Sequence, residues 1–462
     1  MSVATSNRAE RTVQQLKRPP LHLRQASPRW LVYYYAVQIV CQLALLTGWF
    51  SGVRAALRAG TFGISLVVLA ITAGRSSGRR QPAASLAIIA VTIVFLEAFN
   101  PQTSSALSAL ATVAQYIAIL GPLLWVPRLA LDISWFRRIV FILWAFQSSS
   151  AIVGTLQVYF PGVFQPALAS VLTESNLSGL HITLSNGEQI LRPTGLTDSP
   201  GGAAGAGMYA ILLALGLWTD KPKLWLRVLL AVSIGNGMFV LYICQIRSLV
   251  VMVVIAVLIT ASIHALRGRI RVLAGTSSIF SAIAFATFLA ATSVGGEDVT
   301  RRLSSLTDAS PTQVYYSNRG IFLEHTITQL LPQYPFGAGL GRWGTLAGYF
   351  GGDASSFIYV EIQWTGWLLD GGVLLVLAYS AMLATTLWGV LKIARSSFEG
   401  DENGLVGWAA TLIGYDIGTI ALTFNYPVFN SGFGTDFWLL NSALIAVAAK
   451  SLRVAASSTL SK

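Results

Sequence analysis

The sequence has little charge and almost no cysteine. Only 11% of its 462 residues are charged, against roughly 25% in a typical soluble domain, while 54% are hydrophobic. One water-soluble core cannot hide that much apolar surface, so part of it must face lipid. The two cysteines, Cys41 and Cys244, lie inside apolar segments. They therefore support neither a disulfide framework nor a thiolate metal site.

The excess of basic residues does not indicate a nucleic-acid-binding protein. The net charge is +12, but a nucleic-acid binder gathers Lys and Arg on one soluble face, whereas here they occur in short clusters between apolar runs. Such clusters are topology signals, because cytoplasmic loops of membrane proteins retain positive charge. The polar, basic stretch 1–30 is too long for the n-region of a signal peptide. We therefore expect a cytoplasmic N-terminal tail and an uncleaved first helix.

Long apolar runs indicate an all-α polytopic membrane protein. A spanning helix needs about 20 mostly apolar residues. That criterion predicts a single membrane domain over 31–449 with about twelve transmembrane helices, followed by a cytoplasmic tail over 450–462. The predicted spans are 31–50, 60–74, 83–99, 106–126, 139–159, 202–219, 226–244, 248–266, 273–293, 372–390, 405–424 and 434–449.

The distribution of basic residues predicts which connections share a side of the membrane. Twenty-three of the 31 lysines and arginines fall on one side, which we interpret as cytoplasmic together with both termini. The other side carries no lysine and eight arginines: Arg54, Arg58, Arg192, Arg247, Arg301, Arg302, Arg319 and Arg342.

Two external loops are too polar for the bilayer and too long for plain connections. They cover residues near 160–201 and 294–371, and long loops in a compact protein are usually functional. Two crossings within 357–390 would place Lys392, Arg395 and the basic C-terminal residues on the external side, so the charge pattern favours one crossing. We therefore expect a short helix over 356–370 at the outer interface, which the break at Asp370-Gly371-Gly372 turns into the spanning helix.

External arginines suit a phosphate ligand, because a planar, permanently charged fork can bind two oxygens at once. Arg192 precedes the small-residue start of a helix that could receive an anion, and Asp198 in the same segment is a weaker supporting candidate. Arg247 lies in a turn too short to leave the bilayer edge, so it needs an anion, such as a substrate phosphate or Asp416. For each arginine alone, anchoring of a loop at the headgroups is the simpler explanation.

The second loop carries three further candidates. Arg319 precedes a helical stretch over 321–331 that contains His325, which is able to titrate near neutrality but is more simply a solvated histidine. Arg342 lies in a glycine-rich run over 337–344, of which residues 339–344 match a dinucleotide-binding pattern. No buried strand precedes that run and no acidic residue follows at the right spacing. A tight loop that lends backbone N–H groups to a phosphate is the preferred interpretation.

Glu361 and Asp370 flank the apolar stretch 362–369. A glutamate at a helix start is explained by the helix dipole alone. At the membrane edge below two external loops, Glu361 is also placed to accept a proton from a sugar hydroxyl. Asp370 is a supporting candidate.

Together these segments resemble the superfamily of O-antigen ligases and Wzy-type O-antigen polymerases. The resemblance covers roughly residues 191–375 and the overall topology. Its motifs are 192–196 (RPTGL), 246–248 (IRS), 318–319 (NR), 335–341 (PFGAGLG), and Glu361 with 368–372 (LLDGG).

The resemblance implies a membrane glycosyltransferase of the GT-C type on the external face of a bacterial inner membrane, using a glycan on undecaprenyl diphosphate. It implies that Arg192 and Arg319 hold the diphosphate, to which we add Arg247 and Arg342. The family's ligases have a catalytic histidine where this chain has Glu361, so we expect a polymerase for O-antigen or exopolysaccharide. The expected reaction inverts the sugar and needs no metal or cofactor, and the expected partners are a glycan acceptor and other polysaccharide export proteins.

Other functions stay open at this point. A ligase would transfer the glycan to a lipid or other acceptor, and a transporter or flippase would move the precursor across the bilayer. Transporters usually show paired repeats and compact loops on both faces, whereas no repeat relates the two halves here and both large loops are on one face. A non-catalytic scaffold in polysaccharide assembly would tolerate loss of the arginines.

Overall fold

The computed structural model describes residues 25–77, 81–165, 181–183, 189–199, 201–220, 222–268, 270–304, 310–350, 357–395 and 404–460. Its longer helices are α1 (Arg29–Leu45), α2 (Arg54–Thr72), α3 (Ala84–Glu97), α4 (Ala106–Leu120), α5 (Ile133–Tyr159), α6 (Gly202–Thr219), α7 (Leu224–Ile243), α8 (Arg247–Leu266), α9 (Ile270–Ser304), α10 (Gly344–Phe350), α11 (Gln363–Arg395), α12 (Leu405–Leu422) and α13 (Gly432–Leu460).

Shorter elements lie in the connections. Helical turns occupy Gly48–Val53, Pro122–Trp125, Val126–Arg128, Pro161–Phe164 and Val428–Asn430. Two short antiparallel strands, β1 (His181–Thr183) and β2 (Gln189–Leu191), form a hairpin. The 311–333 segment alternates α-helical turns with two π-helical turns, Tyr316–Gly320 and Thr326–Leu330.

Among the described residues, eight helices, α5–α9 and α11–α13, are long and apolar enough to cross a membrane. The pair formed by α4 and the turns over Pro122–Arg128 is bent by 42° and passes the same test as one unit, while Ala56–Thr72 and Ala84–Glu97 are shorter apolar helices. Each predicted span contains a helix among the described residues. The all-α polytopic membrane fold is confirmed, and the count of about twelve crossings stays a prediction.

The start of α11 corrects the predicted interfacial helix over 356–370. Residues 357–362 are not helical, and α11 begins at Gln363 and continues to Arg395 through a kink at Gly371 and Gly372. Residue 356 lies outside the described part. The kink is where the Asp-Gly-Gly break predicted it, because Gly372 has φ 63° and a Cβ there would meet the Pro335 carbonyl oxygen at 2.3 Å.

Small residues let α12 approach α8 closely. A Cβ at Gly414 would lie 2.4 Å from the Ala256 carbonyl oxygen, and one at Gly418 would lie 2.6 Å from Cγ of Met252. Membrane helices gain little from burying apolar side chains away from equally apolar lipid, so such close backbone packing carries much of their association.

Gly414→Ala is therefore expected to destabilise the folded protein by about 1–3 kcal/mol, the usual cost of forcing extra atoms into a packed core. The measurement is thermal unfolding of the purified protein in detergent. Gly63→Ala is the matched control, because a Cβ at this helical glycine meets nothing within 4 Å. Equal unfolding temperatures for the two variants would contradict this packing.

Connections predicted to share the lysine-free side contact one another at one end of the bundle. Ser104 Oγ donates to the Gly341 carbonyl at 2.7 Å, Gln115 Nε2 donates to the Asn430 carbonyl at 3.0 Å, and Arg58 contacts Asp198. We call this end, formed by residues 46–58, 98–105, 189–199, 201, 244–247, 310–350, 357–362 and 423–431, the arginine end.

Candidate functional site

Arg319 and Glu361 form an ion pair at the arginine end, with Arg319 Nη2 2.7 Å from Glu361 Oε2. Arg319 lies in the first π-helical turn of the 311–333 segment and has a positive φ of 79°, which is uncommon for a residue with a side chain. Glu361 lies two residues before α11. The two side chains that motif spacing singled out separately thus meet in space.

The surroundings of this pair fix both side chains. Tyr359 donates its hydroxyl hydrogen to Glu361 Oε1, and Arg319 Nη1 donates to the Asn425 carbonyl in the connection between α12 and α13. The side chain of Arg319 is 40% exposed and that of Glu361 is 15% exposed. The guanidinium of Arg319 is therefore the part of the pair that a solute can reach from the arginine end.

Arg192 and the turn before α8 form a second group. The alkyl part of Arg192 and the Ile246 side chain both contact Gly201, whose φ is 68°; a Cβ there would lie 3.2 Å from Arg192 Cδ and 2.8 Å from Ile246 Cδ1. Arg247 is the first residue of α8 and lines a small cavity with Gln245 and Tyr242. The loop over 189–199 thus brings Arg192 to the helix that begins with Arg247.

The alternative pairing of Arg247 with Asp416 is wrong. Asp416 is buried in the middle of α12, where its Oδ1 accepts a hydrogen bond from Asn441 Nδ2 at 2.8 Å. Its Oδ2 has no hydrogen-bond partner among the described residues. The carboxyl therefore serves helix packing between α12 and α13.

Asp198 does not support Glu361 directly, because its carboxylate is held by two other arginines. Arg54 Nη2 and Arg58 Nη2 both contact Asp198 Oδ2, at 3.2 and 2.6 Å. The charge pattern predicts that Arg54 and Arg58 lie on the external side but does not mark them as site residues. Their spacing of four residues, which puts both on one face of a helix, is the sequence feature that could have indicated a shared partner.

The glycine-rich run before α10 uses its backbone donors within the protein. The Ala338 N–H donates to the Leu369 carbonyl at 2.7 Å, and the Leu340 N–H donates to Thr103 Oγ1 at 3.2 Å. The prediction that this loop lends N–H groups to a phosphate is wrong for these two groups, since α11 and the 98–105 connection already accept them.

Arg342 is itself part of this run and is fixed by its neighbours. Its Nη1 donates to the Ala338 carbonyl at 3.1 Å and to Gln102 Oε1 at 3.3 Å, and its guanidinium lies 5.6 Å from the centre of the Tyr334 ring. These contacts belong to loop packing, and no contact in the described structure joins Arg342 to Glu361. A direct role at the Arg319–Glu361 pair therefore stays a prediction.

His325 and Asp370 lie outside the ion pair. His325 is exposed on the 311–333 segment, and its side chain makes no hydrogen bond or ion pair with another described residue. Asp370 is 2% exposed and accepts hydrogen bonds from Tyr116 at 2.7 Å and from Trp343 Nε1 at 2.9 Å. Asp370 therefore ties the kink of α11 to α4 and to the glycine-rich run.

Asp370→Leu is expected to destabilise the protein by about 1–3 kcal/mol for each buried donor left without an acceptor, whereas Asp370→Asn keeps an acceptor oxygen and most of the stability. Thermal unfolding of both variants in the same detergent provides the measurement. An Asp370→Leu variant as stable as Asp370→Asn would show that the two hydrogen bonds do not hold the kink.

No group of three or more His, Cys, Asp or Glu side chains in the described ranges is placed to hold a metal ion. The chain matches no protein-family model and no curated protein.

Proposed function

We propose that this chain is a glycosyltransferase of the outer face of a bacterial inner membrane. It takes a glycan from undecaprenyl diphosphate and joins it to another glycan, in the manner of an O-antigen or exopolysaccharide polymerase. The observation that carries the proposal is the Arg319–Glu361 ion pair, which puts a carboxylate beside a partly exposed guanidinium at one end of a membrane bundle. In this proposal the arginine end faces outward and both termini are cytoplasmic.

The reaction requires one proton acceptor and one stabilised leaving group. The acceptor hydroxyl attacks the anomeric carbon while Glu361 takes its proton, and the bond between that carbon and the diphosphate oxygen breaks with its electron pair going to the diphosphate. Attack from the face opposite the leaving group inverts the anomeric centre. Arg319 stabilises the charge that grows on the diphosphate.

Arginines act in place of a divalent metal in this scheme. A guanidinium stays protonated at all physiological pH values and binds phosphate oxygens in a bidentate fashion, so it needs no additional ion to offset the leaving-group charge. Arg192 and Arg247 lie at the same end of the bundle as Arg319 and are proposed to hold the lipid-linked diphosphate during approach. The glycan acceptor, the bilayer and other polysaccharide export proteins are the proposed partners.

The direct test uses the purified protein in liposomes with undecaprenyl-diphosphate-linked oligosaccharide. A polymerase releases undecaprenyl diphosphate and yields a ladder of longer glycans. A single transfer to a lipid or other acceptor identifies a ligase, which would use the same pair. Donor that stays intact in the presence of every acceptor tested would contradict transferase activity.

Transport is the second candidate, and the interior of the bundle contains the observation that favours it. Buried carboxylates within spanning helices often mark ion or proton pathways, and Asp416 and Asp436 are both buried in α12 and α13. The kink of α11 at Gly371 and Gly372 adds a broken helix, another transporter feature. A transporter would move the intact donor or glycan across the bilayer without forming a glycosidic bond.

A further inference from the structure

The carboxylate of Asp198 is shared by two arginines of one helix face, so this cluster carries an excess positive charge. Arg54 and Arg58 approach the same oxygen atom, Oδ2, at 3.2 and 2.6 Å. No second carboxylate forms an ion pair with either guanidinium within the described ranges. Two guanidiniums present many more N–H donors than one carboxylate oxygen can accept.

Burial makes this excess charge costly. Arg54 is 5% exposed and Asp198 is 7% exposed, and the Nε atoms of Arg54 and Arg58 are buried with no hydrogen-bond partner in the part of the chain that the structure describes. A buried charge or donor without a partner is strongly unfavourable. The Arg54–Arg58–Asp198 cluster is therefore suited to accept one further anion.

The opening of the cluster is on the Arg58 side. The Arg58 side chain is 24% exposed, four times the exposure of Arg54, and its guanidinium lies 5.9 Å from the centre of the Tyr349 ring in α10. An anion that enters here would meet the free edge of Arg58 first.

Exposed apolar residues immediately precede Arg54. In the helical turn Gly48–Val53, the exposed fractions are 96% for Trp49, 43% for Phe50 and 49% for Val53. Tryptophan is enriched where membrane meets water, so this turn fits the level of lipid headgroups. Anionic groups found at that depth beside acyl chains are lipid phosphates.

We propose that the Arg54–Arg58–Asp198 cluster binds the phosphate group of a lipid, whose chains lie against Trp49, Phe50 and Val53. The phosphate belongs either to a phospholipid of the surrounding leaflet or to a polyprenyl diphosphate. Neither arginine takes part in the proposed transfer reaction, and the site exists whether or not the chain is a transferase.

The test is native mass spectrometry of the purified full-length protein, which counts retained lipids without requiring activity. The probes are phosphatidylglycerol, undecaprenyl diphosphate, diacylglycerol as the lipid without phosphate, and inorganic phosphate as competitor. We expect one phosphate-bearing lipid to be retained at least about tenfold more strongly than diacylglycerol, the scale of one hydrogen bond to a charged group. Stronger retention of phosphatidylglycerol identifies a resident phospholipid, and stronger retention of undecaprenyl diphosphate identifies the carrier lipid.

Arg58→Gln is expected to abolish this preference, and Arg58→Lys, which keeps the charge but loses the fork, to weaken it partly. Arg301→Gln is the matched control, since Arg301 lies in α9, is 62% exposed and is paired with Asp298. The unfolding temperature of each variant shows whether it is folded. If Arg58→Gln does not fold, the comparison of wild type with Arg58→Lys provides the test. Equal retention by wild type and the Arg58 variants would overturn the proposal, as would inorganic phosphate that competes as well as a lipid.

Discussion

Glu361→Gln is expected to lower the rate of glycan transfer by at least about 100-fold, the scale of a lost general base. The amide keeps the size of the side chain and can still accept a hydrogen bond from Tyr359, but it cannot take the proton of the attacking hydroxyl. The loss should appear in kcat, with little change in the KM for the lipid-linked donor, because the carboxylate acts on the acceptor. The measurement is initial rates of undecaprenyl diphosphate release.

Glu324→Gln is the matched control for that substitution. Glu324 is an exposed acid of the same 311–333 segment that lies beside Tyr316 and forms no ion pair with another described residue, so the same change of carboxylate to amide should leave the rate unchanged. The amount of folded protein in the membrane must be equal for both variants. A Glu361→Gln enzyme with near-normal kcat would remove Glu361 from the role of base.

Arg319→Ala is expected to lower the same rate by at least about 100-fold, because the leaving diphosphate loses its nearest fixed positive charge. This variant differs from the first in its kinetic signature: the KM for the donor should rise as kcat falls, since in the proposed reaction Arg319 contacts the donor both before and during transfer. Arg319→Lys should restore part of the rate, because the charge returns without the bidentate fork.

The two residues are also expected to act as a unit. Replacing both side chains should lower the transfer rate little more than the more damaging single replacement does, since the effects of groups that act together in one step are strongly non-additive. Arg301→Ala, at an exposed arginine of α9 that is paired with Asp298, serves as the control and should retain full activity. Additive losses in the double variant would show that Arg319 and Glu361 contribute through separate steps.

Much of the fold could be predicted because segments that enter a membrane can be recognised from their local composition. Apolar runs of sufficient length identified the helices α5 to α9, and the separation of lysine from arginine placed the connections that meet at the arginine end. Local pattern also located the kink of α11 at Gly371 and Gly372. What it could not provide was the extent of α11, because its start at Gln363 is fixed by long-range contacts such as the hydrogen bond from the Gln363 N–H to the Thr423 carbonyl.

The site was harder to predict, because its parts come from connections distant in sequence. Motifs mark Arg319 and Glu361 separately, but no sequence pattern shows that the loop between them brings the two side chains into contact. For the same reason the sequence marks Asp198 only as a supporting candidate and names no partner for it: its ion pairs are with Arg54 and Arg58, on a helix about 140 residues earlier. Ion pairs between distant segments depend on the packing of the whole bundle and produce no periodic pattern in the sequence.

The glycine-rich run shows the opposite error, in which a local motif suggested a ligand site. Its positive φ angles, 122° at Gly337 and 81° at Gly339, allow the chain to pass close to the end of α3 and the 98–105 connection. A Cβ at Gly339 would lie 2.5 Å from the Thr103 backbone nitrogen. Close packing against another segment therefore explains these glycines without a phosphate.

One measurement tests the central claim most directly: the fate of a lipid-linked oligosaccharide added to one side of sealed proteoliposomes that contain the purified protein. Bond formation and translocation are followed in the same sample, by glycan length and by protection of the glycan from an added glycosidase. The proposed function predicts longer glycans and released undecaprenyl diphosphate on the side where the donor was added. Intact donor or unextended glycan protected inside the vesicles would contradict it and identify a transporter.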